Sequence, residues 1–264
     1  MQTALEYLQN ILKDRKPDVG IILGSGLGDL ANVLVNPIKI NYADIPEFPV
    51  PTVKGHQGCL YIGNIGKHTV LCLQGRVHLY EGHSPQLIYH FIEILKKLGV
   101  QTLIVTNAAG SLYRGMPAGS IMLITDHINL SGKNPLIGPH KEPYFPDMGH
   151  AYNVSLRKKI KEVALEENID LYEGIYLMTL GPNFETPSEI KMFKFLGANA
   201  VGMSTVTEVI SAVHAGMDVI GFSVISNLGT GISDETQSHD DVLEKVAIAG
   251  KKLSVLIQKF LEKY

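Results

Sequence analysis

The feature that most constrains the fold is the alternation of short apolar runs with longer amphipathic segments. The first run, Val19–Leu23, opens into a glycine turn, and similar runs follow at residues 69–73, 102–106, 121–124, 174–178, 200–203 and 219–225. Runs that are apolar throughout are typical of strands covered on both faces. Strands that alternate with helices predict an α/β sandwich around a largely parallel or mixed sheet.

Helix start and stop signals lie between these runs. Ser84 is followed by proline and then by an amphipathic stretch that ends at Gly99, which is typical of a capped helix. Thr186 and Thr205 each stand three residues before a glutamate, the spacing of a capping box. A last helix is predicted from about Asp240. Because ligands bind at the carboxyl ends of strands in such sheets, residues at strand ends are the candidates for a site.

Composition restricts the class of protein. Lys and Arg number 23 against 26 Asp and Glu, and this balance disfavours a nucleic-acid or anionic-membrane surface. Cys59, Cys72 and the histidines lack metal-ligand spacing, which predicts no metal site and indicates a reducing compartment. The N-terminal segment is charged, so it does not resemble a signal peptide, and no stretch approaches the roughly 20 apolar residues of a membrane span. We expect a soluble cytoplasmic protein with one domain, residues 1–264.

Two segments carry the clearest chemistry. The glycine turn at residues 24–28 lacks the spacing of a dinucleotide fingerprint or a P-loop, but its N–H groups and the Ser25 hydroxyl can bind an anion. The alternative is a tight turn without a ligand. Arg76, His78 and Tyr80 are spaced by two, so in a strand they share one face and offer polar groups to an oxyanion. The alternative is a strand with its polar face in water.

Other strand ends add further candidates. His56 lies between two glycines, Ala108 is in a run of small residues, and Ser204 precedes a helix start. Glu185 and Asn227 offer a carboxylate and an amide that can hydrogen-bond a heterocycle. Together these residue types predict an anion subsite beside a neutral subsite, but they indicate no particular reaction.

A series of motifs in this order resembles the trimeric (low-molecular-mass) purine nucleoside phosphorylases. The segments, which span residues 22–227, read ILGSGLG, KGHQG, GRVHLYEGH, TNAAGSL, IMLITDHINL, GPNFETPSE, VGMSTVTEV and VISN. The resemblance implies a single-domain three-layer sandwich with a central mixed β-sheet flanked by helices, and a homotrimer. It implies phosphorolysis of purine nucleosides to a free base and (deoxy)ribose 1-phosphate, with inorganic phosphate as co-substrate and no cofactor.

The resemblance also implies roles residue by residue. The implied phosphate-binding residues are Ser25, His56, Arg76, His78, Ala108 and Ser204. The implied nucleoside-binding residues are Tyr80, Phe184, Glu185, Met203, Asn227 and His239. Among these, Asn227, Glu185 and His78 are the implied catalytic residues.

Base preference and subunit contacts follow from the same resemblance. It implies 6-oxopurines, as in inosine and guanosine, because the related methylthioadenosine phosphorylases carry Asp at the position of Asn227. Either Tyr144 or Phe145 is the aromatic residue that enters a neighbouring subunit's site.

Four other functions are alternatives to a 6-oxopurine nucleoside phosphorylase. A phosphorylase for 6-aminopurine nucleosides such as methylthioadenosine is disfavoured by Asn227, and a nucleoside hydrolase does not require the anion cluster. A non-catalytic nucleotide- or phosphate-binding protein could use the same strand ends. A NAD-dependent oxidoreductase is the weakest alternative, because the glycine spacing is wrong.

Overall fold

The helices of the computed structural model cover much of both faces of a sheet. The structure describes residues 2–53, 55–138, 145–232 and 239–264, without the side chains of residues 239–245. Within these ranges the α-helices are α1 (Ala4–Leu12), α2 (Pro85–Leu98), α3 (Val154–Glu166), α4 (Pro187–Phe195), α5 (Val206–His214) and α6 (His239–Lys263). Short 3-10 helices occur at Gly28–Val33, Tyr42–Asp44 and Leu79–Glu81.

The strands form one mixed sheet. They are β1 (Val19–Leu23), β2 (Val35–Asn41), β3 (Cys59–Ile65), β4 (His68–Gln74), β5 (Thr102–Ser111), β6 (Ile121–Asn129), β7 (Leu171–Met178), β8 (Ala200–Gly202) and β9 (Asp218–Leu228). Their order is β2-β3-β4-β1-β5-β8-β7-β6-β9, and β9 also pairs with β5. That second pairing closes β5, β8, β7, β6 and β9 into a ring, which the sequence did not predict. The predicted mixed α/β fold is confirmed.

Two apolar layers enclose the sheet. On one face α1, α2 and α5 contribute buried residues such as Leu8, Ile92 and Val209 to one cluster. On the other face α3 and α6 contribute Ile160 and Leu256 to a second cluster. Each fully buried aliphatic side chain of this kind stabilises the fold by about 1.5–3 kcal/mol relative to an exposed one. The two clusters hold the sheet between layers of helices.

Most predicted elements are present. Each predicted strand coincides with β1 or one of β4 to β9, although several extend beyond the predicted ends. Ser84 caps α2 through Leu87 N–H, and Thr186 caps α4 in a complete capping box with Glu189. The edge strand β2 was not predicted, because it is largely exposed and contains a proline.

One close approach brings the glycine turn onto the neighbouring strand. A Cβ atom on Gly24 would lie 2.8 Å from the Cα atom of Asn107, so a larger residue there would push the turn away from β5. The N–H of Gly24 donates to the Thr106 hydroxyl at 3.0 Å, and this hydroxyl donates to Ile22 O at 3.1 Å. The carboxyl end of β1 therefore meets the middle of β5.

Candidate active site

A cavity of about 340 Å³ opens beside these two strands. Cavities of roughly 300–1,000 Å³ are typical of small-molecule sites. Its lining brings together residues that are far apart in sequence: Ser25, Val53, Arg76, His78, Tyr80, Asn107, Ala108, Ala109, Gly110, Pro182, Phe184, Glu185, Val201, Gly202, Met203, Ser204, Ser226 and Asn227. Ten of the predicted site residues are in this set, namely Ser25, Arg76, His78, Tyr80, Ala108, Phe184, Glu185, Met203, Ser204 and Asn227.

His56 lies behind the lining residue Ser25. Its Nε2 atom is 2.8 Å from Ser25 Oγ, and its Nδ1 atom accepts from the backbone N–H of Arg76 at 3.1 Å. An imidazole whose Nδ1 accepts carries its proton on Nε2 when neutral. His56 therefore donates to Ser25 Oγ, which leaves the Ser25 hydroxyl proton able to point toward a ligand.

Arg76 is held by a buried carboxylate. Its Nε and Nη2 donate to Glu208 at 2.6 and 2.7 Å, and its Nη1 donates to Thr106 O at 2.7 Å. The expectation that Glu208 forms a capping box with Thr205 is wrong, since Thr205 makes no capping hydrogen bond from its side chain. Burial beside a guanidinium favours the bidentate ion pair over the local cap.

His78 is also paired with a carboxylate. Its backbone N–H donates to Glu81 Oε1 at 2.7 Å, and its Nδ1 lies 3.2 Å from the same oxygen. Burial acts to raise the pKa of Glu81, but hydrogen bonds from Thr52 and His78 outweigh it and lower that pKa to about 2. Glu81 is therefore an anion at neutral pH and orients the imidazole that reaches the cavity.

The segment that carries these residues is not a strand. β4 ends at Gln74, Gly75 follows with φ +135°, and a 3-10 helix starts at Leu79. The prediction of a strand through residues 76–80 is therefore wrong, yet Arg76, His78 and Tyr80 all line the cavity. His78 itself has an extended backbone, which preserves the alternation that the spacing predicts.

The start of α5 forms another wall. Thr205 has φ +81°, a left-handed conformation that is unfavourable for a β-branched residue. Its Oγ1 accepts from Asn107 Nδ2 at 3.0 Å and lies 3.2 Å from Ser204 Oγ. These contacts join β5 to the turn that presents Ser204 to the cavity. The contact between Thr205 and Asn107 was not predicted, because it is tertiary; the sequence predicted only a local cap for Thr205.

Glu185 and Asn227 line the same cavity. Burial raises the pKa of Glu185, and hydrogen bonds from its own backbone N–H and from Thr179 oppose that effect. Asn227 Oδ1 accepts from Ser226 Oγ at 2.6 Å, and its Nδ2 donates to Leu228 O at 3.0 Å. The amide is held in one orientation, so its acceptor and donor face fixed directions.

Aromatic and thioether groups also line the cavity. Tyr80 stacks on His78 with ring centroids 4.6 Å apart. Burial, assisted by Glu81 and opposed by Arg76, raises the pKa of Tyr80 to about 12, so its hydroxyl keeps its proton at neutral pH. Met203 lines the cavity as well.

Four predicted residues are not in the described lining, among them Phe145, which is 94% exposed. His56 lies behind Ser25, whereas the side chain of His239 and all of Tyr144 are outside the described residues. Eight lining residues were not predicted, namely Val53, Asn107, Ala109, Gly110, Pro182, Val201, Gly202 and Ser226. Most lie inside the quoted motifs, where small or apolar residues give no chemical signal of their own.

Within the described residues, neither a metal centre nor a membrane-spanning helix is present. They contain no group of three or more His, Cys, Asp or Glu side chains placed to hold a metal ion. Among the described helices, none has both the length and the apolar character needed to span a bilayer.

Comparison with known proteins then decides the family. A sequence model of the phosphorylase superfamily matches residues 18–262. The chain belongs to the phosphorylase superfamily. The superfamily match spans β1 to α6 and therefore includes every strand that contributes to the cavity.

Relatives within the superfamily are similar over nearly their whole length. Purine nucleoside phosphorylase 1 of Bacillus subtilis is 49% identical over 247 residues, which cover 92% of this chain and 91% of that protein. A Schistosoma mansoni purine nucleoside phosphorylase solved with inosine has a TM-score of 0.92 and 36% identity, covering 100% of this chain and 98% of its own. The same organism's enzyme solved with adenosine has a TM-score of 0.93 and 37% identity, covering 99% of both chains. The resemblance to purine nucleoside phosphorylases is confirmed, and this member of the superfamily is an enzyme.

Proposed function

We propose that this enzyme catalyses the reversible phosphorolysis of 6-oxopurine (deoxy)ribonucleosides such as inosine and guanosine. The products are the free purine and (deoxy)ribose 1-phosphate, as expected of a purine salvage enzyme. The observation that carries the proposal is that one cavity is lined both by Ser25, Arg76 and His78 and by Glu185 and Asn227. An oxyanion fits the first group of side chains, and a heterocycle fits the carboxylate and the amide.

Phosphate would bind beside Ser25, Arg76 and His78. Its oxygens would accept from Ser25, Arg76, His78, Ser204 and the backbone N–H of Ala108. His56 acts on phosphate through Ser25, since it donates to the Ser25 hydroxyl. No cofactor takes part in this proposal, because phosphate itself is the second substrate.

The nucleoside would occupy the rest of the cavity. Glu185 would accept from N1–H of the base, Phe184 would lie against the purine, and Tyr80, Met203 and His239 would contact the ribose. Asn227 would hydrogen-bond N7 and O6. A 6-aminopurine presents a donor at position 6, which fits a fixed amide less well than a 6-oxo group does.

Catalysis would follow from stabilisation of the charges that develop as the base leaves. As the base leaves, the ribosyl carbon gains positive charge, and phosphate bound on the opposite face stabilises it before bonding with inversion. Asn227 would stabilise the negative charge or the proton that arrives at N7, and Glu185 would orient the base. His78, fixed by Glu81, would hold phosphate on the line of attack. Such preorganised groups stabilise the transition state more than the ground state.

We also propose a homotrimer of single-domain subunits, each spanning residues 1–264, in the cytoplasm. Phe145 is 94% exposed, as expected of an aromatic side chain that enters a neighbouring subunit's site; Tyr144 is the alternative and lies outside the described residues. Free, buried Cys59 and Cys72 support a reducing compartment. Sedimentation equilibrium tests the trimer: a mass of one subunit would contradict it.

The direct test of the function is base release from inosine, guanosine and adenosine, with and without phosphate. The proposal predicts phosphate-dependent release from inosine and guanosine and slow release from adenosine. The adenosine arm is needed because the Schistosoma mansoni relative was solved with adenosine. Preference for adenosine would overturn the base assignment, and binding without release from any of the three would favour a non-catalytic binding protein.

A further inference from the structure

Arg76 and Glu208 form a buried ion pair that links the candidate phosphate site to α5. Only 2% of the Arg76 side chain and 6% of the Glu208 side chain are exposed to solvent. The carboxylate accepts from two guanidinium nitrogens, at 2.6 and 2.7 Å. Two parallel hydrogen bonds fix the plane of a guanidinium as well as its position.

The remaining donors of Arg76 can be counted. A guanidinium has five N–H groups. Among the residues that the structure describes, Glu208 accepts from Nε and Nη2, and Thr106 O accepts from Nη1. This leaves one N–H on each Nη, and Arg76 lines the cavity. The fork with Glu208 therefore determines the direction of the two donors that a ligand can use.

The charge of the pair is also informative. Glu208 neutralises Arg76, and Glu81 likewise faces His78 at 3.2 Å. Attraction of an anion to this site therefore depends on correctly directed N–H and O–H groups more than on an excess of positive charge. A carboxylate beside an anion site is unfavourable for the anion unless it improves this geometry.

We propose that Glu208 is a positioning residue for phosphate, acting through Arg76. The inference rests on the proposed function, since phosphate is the ligand in question. Glu208 itself does not line the main cavity. Its carboxylate holds Arg76 with both remaining N–H groups directed at the phosphate oxygens.

The opposite effect, stronger phosphate binding when the Glu208 charge is removed, is physically possible and makes the proposal testable. Removing the Glu208 charge would leave Arg76 with an uncompensated positive charge, which attracts phosphate more strongly. Loss of the fork would let the guanidinium rotate away. A misplacement of about 1 Å can cost on the order of 10²-fold in rate, and we expect this geometric loss to outweigh the gain in charge.

The experiment measures KM for phosphate and KM for inosine separately in wild type, Glu208→Gln and Glu208→Asp. Gln removes the charge and one acceptor, whereas Asp keeps the charge and shortens the side chain. Ser211→Ala is the matched control, because Ser211 is buried on the same helix and its hydroxyl donates within that helix, to Thr207 O. Arg76→Met and the Arg76→Met/Glu208→Gln double variant complete a double-mutant cycle.

The expected result is selective. Glu208→Gln raises KM for phosphate by on the order of 10–10²-fold, as expected for the loss of one hydrogen bond from a charged donor, and leaves KM for inosine unchanged. Glu208→Asp recovers part of the loss. In the Arg76→Met background, Glu208→Gln has no further effect. Ser211→Ala behaves as wild type.

Three outcomes would overturn the inference. The first is an unchanged or lower KM for phosphate in Glu208→Gln, and the second is an equal rise in KM for phosphate and KM for inosine. The third is a Glu208→Gln effect on KM for phosphate that is as large in the Arg76→Met background as in wild type. If Glu208→Gln does not fold, Glu208→Asp tests the inference instead. A wild-type KM for phosphate in Glu208→Asp would contradict it. Absence of phosphate-dependent base release in wild type would instead contradict the proposed function, so the two failures are distinguishable.

Discussion

The imidazole of His56 is fixed on both sides, because it accepts from Arg76 N–H at 3.1 Å and donates to Ser25 Oγ at 2.8 Å. This hydrogen-bond chain runs from the backbone through a neutral imidazole to a hydroxyl at the cavity wall. From this geometry we propose that His56 positions Ser25, whereas the resemblance implies a direct contact between His56 and phosphate.

Replacing His56 by Ala is expected to weaken phosphate binding moderately. The variant removes one hydrogen bond that orients Ser25, worth about 1 kcal/mol, so KM for phosphate should rise about fivefold. Ser25→Ala should cause at least as large a rise, and the double variant should be no worse than Ser25→Ala alone. Additive effects in steady-state kinetics would show that His56 acts independently of Ser25.

Replacing Asn227 by Ala is expected to slow turnover without unfolding the enzyme. Loss of a transition-state contact at N7 should lower kcat by about 10²–10³. Asn153→Ala is the control. Asn153 caps α3 and donates to Asp218, which begins β9, the strand that also carries Asn227. That variant should lose about 1 kcal/mol of stability and retain its kcat. Wild-type turnover in Asn227→Ala would reject the catalytic role.

Glu185→Gln is expected to raise stability at neutral pH and to lower activity. Because burial raises the pKa of Glu185 above 4.5, the folded state retains a proton that the unfolded chain loses, so stability falls as pH rises through this interval. The variant should therefore be more stable than wild type at neutral pH, and the difference should vanish well below pH 4.5.

The same variant should bind nucleoside poorly. Replacing a charged acceptor for N1–H by a neutral amide should lower kcat/KM for inosine by on the order of 10–10²-fold. In wild type, protonation of Glu185 should reduce nucleoside binding at acid pH, and Glu185→Gln should lack that acid limb. Denaturant unfolding and inosine kinetics measured over one pH series test both statements; a variant that is less stable and fully active would contradict them.

Thr205→Val is expected to destabilise the start of α5. It retains the unfavourable φ of +81° but removes the hydroxyl that accepts from Asn107 Nδ2. A buried donor without an acceptor costs about 1–3 kcal/mol, so the free energy of unfolding should fall by that amount. Thr207→Val makes the same isosteric change two residues later and should cost less. Equal losses in urea unfolding would show that the Asn107 contact has no special role.

The sequence predicts most of the strands and several of the residues that line the cavity, because both depend on local pattern. Apolar runs determine where β1, β5 and β9 lie, and their carboxyl ends carry Ser25, Ala108 and Asn227. Alternation along residues 76–80 predicts a shared face even though the segment is not a strand, because its backbone stays extended at His78.

Tertiary contacts account for what the sequence does not predict. Glu208 carries a local capping signal, but pairing with a guanidinium 132 residues away is stronger, and this partner is not encoded nearby. Closure of the sheet through β5 and β9 likewise depends on a long-range pairing. The left-handed Thr205 is stabilised by Asn107, so its conformation follows from the assembled site and not from its own preference.

Product analysis tests the central claim most directly. The enzyme is incubated with inosine and inorganic phosphate, and hypoxanthine, ribose 1-phosphate and free ribose are quantified by chromatography and phosphorus NMR. The account predicts one ribose 1-phosphate for each hypoxanthine released, no free ribose, and no release when phosphate is omitted. Hypoxanthine accompanied by free ribose, at a rate independent of phosphate, would mean hydrolysis and would contradict the assignment of Ser25, Arg76 and His78 to a phosphate co-substrate.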